Sequence, residues 1–198
     1  MIVTYPTMNF ADFTQLRSRI ERAHATIHAK AHVGFAKQQV AQDGSSCSID
    51  VRGVKSPEQL EDEILNLFIW VWSMKDYLKE LCRHGNVNPK KIEDLVNTES
   101  SLMIAADIAN RSKHGELRQS RTGEFAKLQD VQIALPQNII QSIGFHDSTI
   151  QIEVAIPDDA ELNATIAFDS GAPSQNAFTV AQDAISAWET KAFPLVGA

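Results

Sequence analysis

From residue 9 to residue 42, apolar and small side chains return every three or four positions. Phe13, Leu16, Ile20, Ala23, Ile27, Ala31 and Gly34 form one seam, the period of an amphipathic helix. Asn9 fits the N-cap, and Asp43-Gly44-Ser45-Ser46 fits a stop. Unbroken, such a helix is about 50 Å long at roughly 1.5 Å per residue. It would have to lie along a bundle or on a second copy of itself, and Gly34 is where it would bend or end early. Residues 47–54 read as a short strand with Ile49 and Val51 on one face. Ser56-Pro57-Glu58-Gln59 opens a second helix: Ser56 caps it, Pro57 takes its first position and Gln59 completes a capping box. Leu60, Ile64, Leu67, Val71, Met74, Leu78 and Leu81 make its stripe, with Leu65, Phe68, Ile69 and Trp72 on the other side. That distribution predicts a central helix buried around most of its girth. Gly85-Asn86 ends it, Asn88-Pro89 begins a short helix to about Val96, and Thr98 is placed to cap another that runs to His114.

The period shortens to two after Arg121. Residues 128–134, 139–145, 150–156 and 162–168 predict four strands. The third is the cleanest, with Ile150, Ile152, Val154 and Ile156 facing one way. Short polar turns between them predict an antiparallel meander with one face to be covered. A last helix over residues 175–191, with Phe178, Ala181, Ile185 and Trp188 at helical spacing, is the natural cover. The expected fold is α+β: an N-terminal helical bundle over residues 1–121, then a four-stranded antiparallel meander and a C-terminal helix packed on the sheet over residues 122–198, sharing one core.

Composition narrows the class without fixing the activity. A chain of 198 residues, 43% hydrophobic and 22% charged, is ordinary for one compact domain or two small ones. Its longest strictly apolar run is the six residues 67–72, far short of the roughly 20 that cross a membrane, so no membrane association is expected. The N-terminus has neither basic nor apolar signal regions, and two cysteines make no disulfide framework; a cytoplasmic protein is expected. Charge is uneven. Residues 128–198 carry one basic and nine acidic side chains of the 18 and 25 in the chain, so any nucleic-acid surface belongs to the first two thirds. The densest basic stretch holds Arg111, Lys113, Arg118, Arg121 and Lys127 against Glu116 and Glu124. Such a modest excess reads first as a solvated helix end and loop.

The candidate chemistry lies on the fourth helical segment. Asp107, Asn110 and His114 fall within roughly 60° of one another on a helix, and Ile104, Ala105, Ala106, Ile108 and Ala109 fill most of the remaining circumference. In a cleft, Asp107 could orient His114 for acid–base chemistry, with Arg111 and Lys113 beside them for phosphate. Asp76, one turn after Trp72 on an otherwise apolar side, would need a partner if buried, and Arg111, Lys113 or His114 are the candidates. The plainer alternative is an interhelical salt bridge that fixes packing. The string Asp107-Ile108-Ala109-Asn110-x-x-Lys113-His114, preceded by Trp72-x-x-x-Asp76, resembles a pattern in uncharacterised bacterial helical proteins similar in outline to the HEPN superfamily. The resemblance covers residues 57–121. It implies a helical domain that binds RNA or cleaves it without metal, as a dimer, with His114 as general acid or base and Arg111 on phosphate. HEPN ribonucleases place four to six residues between that arginine and histidine. Here two separate Arg111 from His114, and the wider spacing occurs only in the first helix (Arg17 to His24, Arg19 to His24, Arg22 to His28), so a non-catalytic relative is equally consistent.

His24, His28 and His32 repeat every fourth residue, with Glu21 before them. His24 and His28 could share one metal, but no second Glu-x-x-His completes a di-metal bundle. Cys82 belongs to the apolar stripe, Cys47 has no histidine near it in sequence, and no phosphate loop or dinucleotide fingerprint is present; no cofactor is expected. Three functions remain: an RNA-binding or RNA-cleaving HEPN-like domain, a non-catalytic module dimerising through the first helix, and a metal-binding bundle using the histidines.

Overall fold

The computed structural model describes residues 10–28, 33–134, 138–157 and 160–197. Its helices are α1 (Phe10–Ile27), α2 (Pro57–His84), α3 (Lys90–Thr98), α4 (Ser100–His114), α5 (Ala177–Ala187) and α6 (Phe193–Val196). Its strands are β1 (Gly34–Val40), β2 (Ser46–Arg52), β3 (Ala126–Ala134), β4 (Ile140–His146), β5 (Thr149–Val154), β6 (Glu161–Phe168) and β7 (Gln175–Asn176).

The long first helix is overturned. α1 ends at Ile27 after 18 residues, and Gly34–Val40 pairs antiparallel with β2. Two non-local features stop the helix. The ammonium of Lys55, only 7% exposed, donates to the carbonyls of Thr26 and Ile27 and pairs with Glu63 at 2.6 Å, which satisfies the orphan carbonyls of the helix end. Gly34 lies so close to β2 that a Cβ there would sit 2.6 Å from the carbonyl oxygen of Val51, an approach that suits a glycine-started strand. The seam on α1 is also consumed within the chain: Phe13, Leu16, Ile20 and Ile27 are buried, and Phe13 meets Phe193 edge-on at 5.0 Å between ring centroids. Of the large apolar side chains on α1, Phe10 alone stays exposed, at 57%.

α2 begins as the sequence indicates. Ser56 Oγ accepts from the Gln59 amide at 3.2 Å, and Gln59 Oε1 accepts from the Ser56 amide at 3.0 Å. It packs against α1, α3, α4, α5 and β3, hence its burial on several sides. Thr98 does not cap α4. Its hydroxyl donates to the Leu95 carbonyl at 2.9 Å within the last turn of α3, and Glu99 takes the N-cap position without a side-chain bond.

The expected meander is also overturned. All four expected strands exist, but they join two sheets. One, ordered β1-β2-β5-β4, is mixed, because β5 lies parallel to β2. The other is β3-β6-β7, antiparallel throughout. Two-residue alternation says which face a side chain takes and nothing about which strand lies beside it. The hairpin of residues 34–52, hidden under a helical reading, supplies β5 with a neighbour and frees β3 to pair with β6. In the mixed sheet the register places Phe35 and Lys37 beside Val51 and Ile49, these beside Ile152 and Ile150, and these beside Ile143 and Phe145, all on one face.

A single apolar cluster joins α1–α4, β3, β6, α5 and α6. α5 packs on α4 and on β6 and β7, so the C-terminal helix covers the antiparallel sheet and the helices together. It continues as a π turn, Trp188–Ala192, that leaves the Trp188 indole buried and donating to the Val71 carbonyl at 2.9 Å. The mixed sheet has its own small core of Val51, Val54 and Val154. Among the described residues no helix is long and apolar enough to cross a membrane.

Candidate functional site at the end of α4

Asp107 is 1% exposed and its carboxylate is fully used. One oxygen accepts from the Arg121 amide at 2.7 Å. The other accepts from the hydroxyls of Ser120 and, at 2.7 Å, Thr122, with the Thr122 amide at 3.4 Å. Those hydroxyls in turn accept from the amides of Phe125 (3.1 Å) and Glu124 (3.0 Å). Residues 120–125 are thus folded around one buried carboxylate, which accounts for its burial without a partner cation. The sequence shows the helical stripe but not this partner, which lies 13–15 residues downstream; the paired hydroxyls of Ser120-x-Thr122 are the only local hint.

Arg111 is committed as well. Its guanidinium donates to Asp169 at 3.0 Å and to the Phe125 carbonyl at 3.3 Å, and Lys127 holds the other oxygen of Asp169 at 2.7 Å. The hydrogen bonds from Lys127 and then Arg111 keep the Asp169 carboxyl below its ordinary range. Asp76 does not join the stripe: its side chain is 64% exposed and lies 3.5 Å from the Lys75 ammonium. Over Trp72, one turn before it on α2, Lys75 and Arg121 lie at 4.4 and 5.0 Å from the ring centroid. Arg121 also reaches Glu93 at 3.2 Å and Asn97 at 2.9 Å.

What stays open is the helix end. Asn110 and His114, with residues 115–119, line an open cavity of about 830 Å³. Gly115, at φ +75°, turns the chain there and donates its amide to the Arg111 carbonyl at 2.7 Å. Among the described residues no hydrogen bond or ion pair engages the side chains of Asn110, Lys113, His114 or Arg118. Lys113, His114 and Arg118 are exposed and Asn110 half-buried. Of the five cations in the basic stretch, Arg111, Arg121 and Lys127 are held in ion pairs, which leaves Lys113 and Arg118. The hollow therefore offers one cation, Arg118, an imidazole and amide groups, with Glu116 the one acid lining it; Lys113, next to His114 on α4, is exposed beside it. Such groups suit binding of a polar anion; a buried general base next to His114 is not among them.

The rings of His24 and His28 meet at a tilt of 54° with centroids 5.1 Å apart, and the His28 ring lies 5.5 Å from that of Phe178. His32 falls outside the described residues. Among the described residues no group of three or more His, Cys, Asp or Glu side chains could hold a metal ion. Cys82 is buried, and burial pushes its thiol up, as befits a core residue. No family model, curated protein or solved structure matches the chain.

Proposed function

We propose that this chain is an RNA-binding module that does not cleave its ligand, and that the contact is the hollow at the end of α4. The observation that carries the reading is the cavity itself: Lys113, His114, Arg118 and Asn110 lie at or beside it uncommitted, while the neighbouring cations are held in ion pairs. Lys113 and Arg118 meet phosphates, and Asn110 and the His114 ring meet a base edge or face. The choice of RNA rests on the resemblance of residues 57–121 to the HEPN outline. Cleavage is left out because Asp107 is wholly occupied by residues 120–122 and Arg111 by Asp169.

Two uncommitted cations give a quantitative expectation. For single-stranded RNA the slope of log affinity against log salt should be about −1.4, roughly −0.7 for each phosphate contact. Fluorescence anisotropy with a labelled single-stranded ribo-oligomer checks this. Arg118→Ala should halve the slope and weaken binding, and the oligomer should be recovered intact. A salt-independent affinity, or one unmoved by Arg118→Ala and Lys113→Ala together, overturns the proposal; an oligomer shortened by the wild type but not by His114→Ala overturns its non-catalytic part.

A further inference from the structure

The two outer strands of the mixed sheet differ. β1 carries Lys37 on the apolar face beside Ile49, a charge that blunts the edge against pairing. β4 carries no Lys, Arg, Asp, Glu or Pro, and residues 131–145 form an uncharged stretch inside the acidic third of the chain. Ile143 and Phe145 on β4 are 55% and 78% exposed. Among the described residues no strand lies beside the outer edge of β4.

The edge is also shaped for itself. β4 and β5 join through the two-residue turn Asp147-Ser148, flanked by the pair His146 and Thr149. In such a hairpin the flanking pair is hydrogen-bonded and the pattern alternates from there. The backbone N–H and C=O groups of Ile143 and Phe145 consequently point away from β5. The bulge between Ile140 and Ser142 bends the start of the strand and confines regular pairing to residues 142–146.

We propose that β4 is a dimer interface, pairing antiparallel with β4 of a second copy about a two-fold axis at Gly144. Ile143 of each copy then lies opposite Phe145 of the other, and the outward backbone groups of both residues are satisfied. The apolar faces of two four-stranded sheets become one. An isologous contact brings like against like, and β4 places no Asp, Glu, Lys or Arg side chain against its own copy. The interface is independent of the α4 hollow.

Sedimentation velocity over about 5 to 200 µM tests it alongside cross-linking. The wild type should dimerise. Ile143→Lys with Phe145→Lys, each counted twice across the axis, should weaken the dimer by on the order of 100-fold while leaving the far-UV circular dichroism unchanged. Gly144→Cys in a Cys47→Ser background keeps the edge native: the added Cβ meets only Gln151 Cβ, at 3.9 Å. Opposed non-hydrogen-bonded residues lie about 4.5 Å apart at Cα, within disulfide reach, so mild oxidation should trap the dimer. A monomer throughout that range overturns the proposal. So does a dimer that survives the lysine pair in a folded protein, or one that Gly144→Cys does not trap.

Discussion

Asp107 lies buried in α4 and receives hydrogen bonds from three consecutive residues of one loop, whereas Phe145 stands largely in solvent on a strand whose outer edge has no described neighbour. The two regions differ in how many elements close over them. α4 is enclosed by α2, α3, α5 and β3, so its interior positions are apolar and its one interior carboxylate is surrounded by donors. The mixed sheet has only a small core of its own, Val51 and Val154 on its strands with Val54 just beyond β2, each 7–9% exposed. Cooperative stability follows buried contact. The helical cluster should therefore carry the global unfolding free energy and the mixed sheet should open below it.

The contrast can be broken most directly by shaving both cores. Leu67→Ala, in the middle of α2 and fully buried, should cost about 3–5 kcal/mol of unfolding free energy. Val51→Ala should cost about 1–2 kcal/mol, from fewer buried methyl groups and an easier collapse. Urea unfolding followed by circular dichroism compares them. Equal losses would mean that the mixed sheet is as integral to the fold as α2.

Asp107→Ala comes next. It strands the Ser120 and Thr122 hydroxyls and the Arg121 amide, and should destabilise the protein by about 3 kcal/mol. Hydrogen exchange should show the amides of Arg121, Thr122 and Phe125 losing protection more than those of β5. Loss of RNA binding without loss of stability would instead return Asp107 to the binding site and make the loop incidental.

Local codes were readable and distant partners were not. Ser56-Pro57-Glu58-Gln59 announces the start of α2 because the capping box is closed within four residues. The alternation of Ile150, Ile152 and Val154 announces β5 for the same reason. Gly34 and Ala36 are small enough to fit either period, and what decides between helix and strand is non-local: the capping of Ile27 and Thr26 by Lys55, 28 and 29 residues later, and the close approach of Gly34 to Val51. Strand order was hidden in the same way, since β5 meets β2 across about a hundred residues. For the site, the helical face of Asp107, Asn110 and His114 was legible from spacing. That Asp107 turns to its loop, that Arg111 turns to Asp169 and that Asp76 turns to water depends on tertiary neighbours that no spacing encodes.

Glu93 offers the mildest test of the same contrast, because it pins α3 to the helical side through charge. Burial would push its carboxyl up, but a 2.7 Å hydrogen bond from Lys79 and the charges of Lys75, Lys79 and Arg121 outweigh this and hold it below its ordinary value of 4.5. A carboxyl lowered in the folded state stabilises fully above the unfolded value and loses that contribution as pH falls through the folded one. The urea midpoint of the wild type should therefore drop more steeply below pH 4.5 than that of Glu93→Gln, which lies lower at neutral pH and converges with the wild type in acid. Because the carboxylate is about a quarter exposed, added salt should shrink the gap. Parallel acid limbs would show that Ile92 and Val96, both fully buried, hold α3 without help from the ion pairs.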